Sequence, residues 1–94
     1  MAISFSAHVA VPPHVLLQRV GEESVLLNLV TETYFGLDAV GTHMWEALTR
    51  AATVDGAYRE LLDTYDVEPD RLRQDMETLI ENLLRNGLLE TRGE

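Results

Sequence analysis

The chain contains no cysteine and no lysine. Without cysteine it cannot form a disulfide staple, a zinc–thiolate site or a thiol nucleophile. Its positive charge rests on 7 arginines against 16 acidic residues, a formal net charge of -9. That balance leaves no basic face for a phosphate backbone or an anionic lipid surface. Long apolar runs are missing too: none approaches the roughly 18 residues that a membrane-spanning helix needs. Met1 to Val11 lacks the basic segment and unbroken apolar stretch of a secretory signal, so the expected compartment is the cytoplasm. What remains is 94 residues with 46% hydrophobic content, enough for one core and one domain over residues 1–94.

Hydropathy period assigns the elements. Ile3, Phe5, Ala7, Val9 and Val11 alternate with mostly polar neighbours, which predicts a strand, or an arm along one, up to Pro12-Pro13. Val15–Val20 and Ser24–Val30 are β-branched-rich runs joined by "GEE", a hairpin; Thr31-Glu32 turns into a third strand, Thr33–Leu37. Short connections make this an antiparallel meander whose last strand is an edge. After Asp38, a good N-cap, the period changes to 3.6. Val40, Met44, Trp45 and Leu48 stripe a first helix to about Arg50. Thr53 caps a second, striped by Val54, Tyr58, Leu61, Leu62 and Tyr65. Pro69 at N1, a Leu72, Met76, Leu79, Ile80, Leu83 stripe and Gly87 at C′ frame the third. "LLE" at 88–90 is expected to return as a short strand and Thr91–Glu94 to fray. The predicted fold class is α+β, winged helix-turn-helix-like: an N-terminal three-stranded antiparallel sheet followed by three helices.

Winged helices commonly bind DNA. Here the third helix offers Arg71, Arg73 and Arg85, but Asp70, Asp75, Glu77 and Glu81 on the same helix cancel its field. Catalytic patterns are equally thin. His8, His14 and His43 have no HxxxH or HExxH spacing; Ser4, Ser6 and Ser24 sit in no GxSxG turn; Glu22-Glu23 is a solvated hairpin turn. "GLDAVG" is neither a phosphate loop nor a dinucleotide loop. No catalytic residue, cofactor or metal is expected.

The densest stretch is "TYFGLDAVGTHMWEAL" at 33–48. Read together, "VLLNLVTETYFGLDAVGTHMWEAL", "TVDGAYRELLDTYDV" and "NLLRNGLLE" resemble the PqqD-like family, the small domains called RiPP recognition elements. The resemblance runs from about Pro13 to Glu90. Within the family, the chain is most similar to the free-standing leader-peptide-binding subunits of lasso peptide biosynthesis. Gly56-Ala57 departs from the larger acidic and apolar pair usual in the family.

The resemblance implies a module that holds the leader of a ribosomally made precursor peptide as a strand added to the third strand, beside the third helix. It would deliver that peptide to a cysteine-protease-like leader peptidase and an asparagine-synthetase-like cyclase. On the strand, the expected contacts are Thr33, Tyr34, Phe35 and Leu37, with Phe35 and Leu37 inward and Tyr34 outward. On the third helix, taking Met76 as the core direction, Ile80, Arg73, Leu84 and Glu77 fall to one side and Leu79, Asn86, Asp75 and Asn82 to the other. The first flank is the preferred groove, with Met76 and Ile80 as floor and Arg73 and Glu77 as rim. Ile80 and Leu84 equally fit a role in completing the core. Two other readings stay open: a chaperone for a radical-SAM peptide-modifying enzyme, and an acidic winged-helix DNA-binding regulator.

Overall fold

The computed structural model describes residues 4–92. Ile3, Gly93 and Glu94, on which part of the expected terminal strand and tail fall, lie outside these described residues.

The expected meander is present as β2 (Val15–Val20), β3 (Glu23–Asn28) and β4 (Thr33–Leu37), after a short β1 (His8–Ala10). All pairs are antiparallel, in the order β2-β3-β4. Gly21 supplies the left-handed residue of the first hairpin, at φ 65°. In the second, Glu32 takes the corresponding conformation at φ 60° and donates its N–H to the Asn28 carbonyl at 2.7 Å.

Three helices follow: α1 (Ala39–Arg50), α2 (Val54–Thr64) and α3 (Pro69–Arg85). The Asp38 carboxylate accepts from the Gly41 N–H at 2.7 Å and the Thr53 hydroxyl from the Gly56 N–H at 3.1 Å, so both predicted caps satisfy orphan donors. Pro69 opens α3 at its first turn, and Gly87 follows it at φ 68°. A Cβ on Gly41 would stand 3.2 Å from Asp38 Oδ1 and 3.3 Å from Leu37 Cδ2, so glycine lets the first turn of α1 seat against β4 without displacing those side chains.

Both ends of the chain depart from expectation. Instead of one long arm, Ser4–Ala7 makes a turn and only His8–Ala10 is a strand. The returning strand β5 is Glu90–Arg92, later than predicted, and its partner is β1: Val9 opposes Thr91 and His8 opposes Arg92. Thr91 and Arg92 are therefore paired, not frayed. Leu88 and Leu89, expected in that strand, are instead buried core residues.

Two apolar clusters hold the layers. One joins Phe5, Met44, Leu48, Val54, Leu61, Leu72, Met76 and Ile80 among the helices. The other joins Val15, Leu26, Leu37, Trp45, Leu83, Leu88 and Leu89 between sheet and helices. Val40, expected in the α1 stripe, is exposed, and Thr42 takes its place inside, hydrogen-bonded through its hydroxyl to Ser24 at 2.8 Å.

Candidate functional site

Alternation along β4 settles which side chains face which layer. Phe35 opposes Leu26 and Leu37 opposes Ser24, both inward-facing buried residues of β3; Tyr34 opposes Leu27 on the outer face. Phe35 and Leu37 point inward and Tyr34 outward, as the alternation predicts. Leu37 is buried, Phe35 half-buried, and Thr33 and Tyr34 exposed. β4 pairs with β3 alone among the described residues, so its second edge carries backbone N–H and C=O groups with no strand against them.

α3 runs back beside this edge. Its C-terminal end is tied to the Thr33 end of the sheet by Asn28, which opposes Thr33. The Asn28 amide donates to the Asn86 carbonyl at 3.0 Å and the Gly87 carbonyl at 3.4 Å, while its oxygen accepts from Val30 and Thr31 N–H at 2.9 and 3.2 Å. Asn28 is 2% exposed, and its four bonds join the end of α3 to the turn before β4. At the Leu37 end, where Asp38 turns the chain into α1, the N-terminal part of α3 comes close to α1 and α2. There an apolar cavity of about 90 Å³ is lined by Val40, Met44, Leu61, Tyr65, Val67 and Leu72, with Arg71 and Asp75 also on its wall. Arg71 and Asp75 pair at 3.6 Å, and His43 Nδ1 meets the Tyr65 hydroxyl behind the cavity.

On one flank of α3, Leu72 and Asp75 line the cavity, and half-buried Leu79 packs, like Phe35 and Leu84, against the sheet–helix cluster. The opposite flank faces the N-terminal segment and α2, where the Arg73 guanidinium lies 3.9 Å from the Phe5 ring centroid and 5.8 Å from that of Tyr58. Glu77 follows Arg73 by one turn on that side. Met76 and Ile80 are each 0% exposed inside the helical cluster. Of the expected site residues, Thr33, Tyr34, Phe35 and Leu37 lie along β4, Met76 and Ile80 are buried in the helical cluster, Arg73 lies over Phe5, and Glu77 is on the same side of α3 as Arg73.

Neither the tie that Asn28 makes to the end of α3 nor the cavity carries a signal in the sequence, and the packing of Phe5 against the Arg73 side of α3 depends on a contact far away in sequence.

Residues 23–89 match the family described as Coenzyme PQQ synthesis protein D (PqqD). Among solved structures, the fold matches that of TbiB1 in complex with the TbiA(beta) leader peptide, with a TM-score of 0.81 and 29% sequence identity over 90% of this chain and 99% of that one. No curated protein matches significantly.

Proposed function

Because the chain belongs to the PqqD family, the PqqD-like RiPP recognition elements, we propose that it binds the leader of a ribosomally synthesised precursor peptide and has no chemistry of its own. The observation that carries this reading is the open β4 edge running beside α3 toward an apolar cavity, in a fold shared with a protein solved with a leader peptide bound.

An extended peptide adding to β4 would pair its backbone with alternate residues of Thr33–Leu37. Each such bond contributes about 0.5 to 1.5 kcal/mol net. Ordering a disordered leader costs about 2 to 5 kcal/mol or more, so apolar anchors must supply the surplus. Phe35 and Leu79 offer half-buried apolar surface beside the edge, and the cavity at its Leu37 end has room for one side chain, worth about 1.5 to 3 kcal/mol when fully buried. Leu37, Met76 and Ile80 serve from beneath as the rigid backing of this surface. Arg73 and Glu77 act at most indirectly, through the packing of α3.

Delivery is the second part of this proposal. A leader held by its backbone leaves the rest of the precursor free for a leader peptidase of cysteine-protease type and an asparagine-synthetase-like cyclase, the lasso peptide arrangement. A radical-SAM peptide-modifying enzyme as partner would use the same edge. DNA binding finds no support, because Arg71 is paired with Asp75 and Arg73 is stacked on Phe5, leaving α3 without a basic reading face.

The test is titration of the full chain with the leader encoded beside its gene, followed by amide shifts. Saturable binding with shifts concentrated at Thr33–Leu37 is expected, and Phe35→Ala should weaken it about tenfold, the loss of one partly buried aromatic anchor. Absence of binding, or shifts confined to the opposite flank of α3, would overturn the reading.

A further inference from the structure

The apolar cavity among the three helices has a floor, a mouth and one wall that is not part of a helix. Met44, Leu61 and Leu72, each 5% exposed or less, form the floor; Val40 and Val67, at 46% and 42%, stand at the mouth. Val40 lies in the first turn of α1, directly after β4, so the mouth continues the open edge. Arg71 and Asp75 on the rim pair with one another, which leaves no field of one sign to draw a charged group.

The remaining wall is the ring of Tyr65. Tyr65 has already left α2, with φ -112° and ψ 141°, so the helix does not fix its side chain. Its hydroxyl is hydrogen-bonded to Nδ1 of half-buried His43 on α1, and the two rings lie 5.8 Å apart, tilted at 44°. His43 fits no catalytic spacing. This bond gives it a place, because it pins the Tyr65 ring at the edge of the cavity.

Volume then decides what enters. A dry apolar cavity of about 150 Å³ takes a benzene ring. One of about 90 Å³ is too small for a phenyl or indole group and large enough for the branched carbons of valine, leucine or isoleucine. We propose that the His43–Tyr65 pair sets the size of this cavity, so that the chain selects a leader with a branched aliphatic anchor over one with an aromatic anchor at the same position. The inference rests on the leader-binding reading. Tyr65 touches the anchor, and His43 acts through Tyr65 as a positioning residue. Truncating the ring widens the cavity, and removing its hydrogen-bond partner lets the ring swing aside; either change admits a phenyl group.

The experiment titrates the full chain with the leader encoded beside its gene, and with versions in which each valine, leucine or isoleucine of that leader is changed in turn to phenylalanine. At one position phenylalanine should weaken binding about tenfold, the discrimination that a fitted apolar pocket gives for a few carbons. Tyr65→Ala should reduce that penalty to about twofold or less and His43→Ala to about threefold, while His43→Gln, which restores a hydrogen-bonding group, should keep it near tenfold. The readout is a ratio of two affinities, so a general loss of stability or affinity in a variant does not move it. No position with such a penalty, or a penalty equal in the unmodified chain and both alanine variants, overturns the proposal. Relief in Tyr65→Ala alone overturns the part given to His43. If the unmodified chain binds no leader, the leader-binding reading fails instead, and isobutane and toluene as free probes decide the size limit. Methyl shifts at Met44 and Leu72 with isobutane alone sustain it; equal shifts with toluene, or shifts with neither, overturn it.

Discussion

Asn28 shows how much one buried polar side chain can position. Its amide and carbonyl make four hydrogen bonds, two to the end of α3 and two to the turn that starts β4. Asn28→Ala leaves those backbone groups without their side-chain partner at a partly buried junction. It should cost about 1 to 3 kcal/mol in urea unfolding, about one unsatisfied group's worth. Leader affinity should fall with it even at temperatures where the variant is folded, because α3 is no longer tied to the Thr33 end of the edge. Ile80 gives the contrasting case. As a groove floor it would tolerate a charge and lose only binding. Fully buried among Met44, Leu48 and Leu72, it cannot. Ile80→Asp places an unpaired carboxylate in the helical core, and a cooperative melt should be absent at neutral pH.

At the scale of elements, the turn between β3 and β4 carries a local cost. Glu32 holds φ 60°, a conformation that disfavours residues with a Cβ by about 1 kcal/mol or more. Glu32→Gly should therefore raise stability by about 1 kcal/mol in thermal or urea unfolding without altering the β3–β4 register; a loss of stability would mean that the Glu32 side chain makes up the difference. Most elements were legible in the sequence. Period 2 gave way to period 3.6 at Asp38, and caps and glycines stood where helices and hairpins needed them, so β2, β4 and all three helices emerge at nearly their observed bounds. What periodicity cannot show is long-range pairing. β1 and β5 are three residues each and meet only through the fold, so no local period marks the short extent of β1 or the pairing of Thr91 and Arg92. The orientation of the candidate strand residues was likewise legible, since alternation alone sets Tyr34 and Phe35 on opposite faces. Which neighbours each flank of α3 meets was not, because both flanks carry apolar and charged residues and only tertiary contacts distinguish them.

For the whole molecule, the N-terminal segment closes the helical layer from behind the groove. Backbone N–H groups of Val54 and Asp55 donate to the Ala7 and Phe5 carbonyls at 3.1 and 2.7 Å, so this segment satisfies donors at the start of α2. Phe5, 7% exposed, packs edge-on against Tyr58 at 5.7 Å and lies under Arg73. The segment thereby fixes α2 against α3. Phe5→Ala should cost about 3 to 5 kcal/mol, a large share of the roughly 5 to 15 kcal/mol expected of a small domain. Arg73→Ala removes only an exposed cation from the ring and should cost about 1 kcal/mol or less. Leader titration separates the two roles that Arg73 could play. If its place is over Phe5 alone, Arg73→Ala binds leader as the unmodified chain does. A tenfold loss of affinity with unchanged stability would instead bring this flank of α3 into the site and reverse the assignment of the groove.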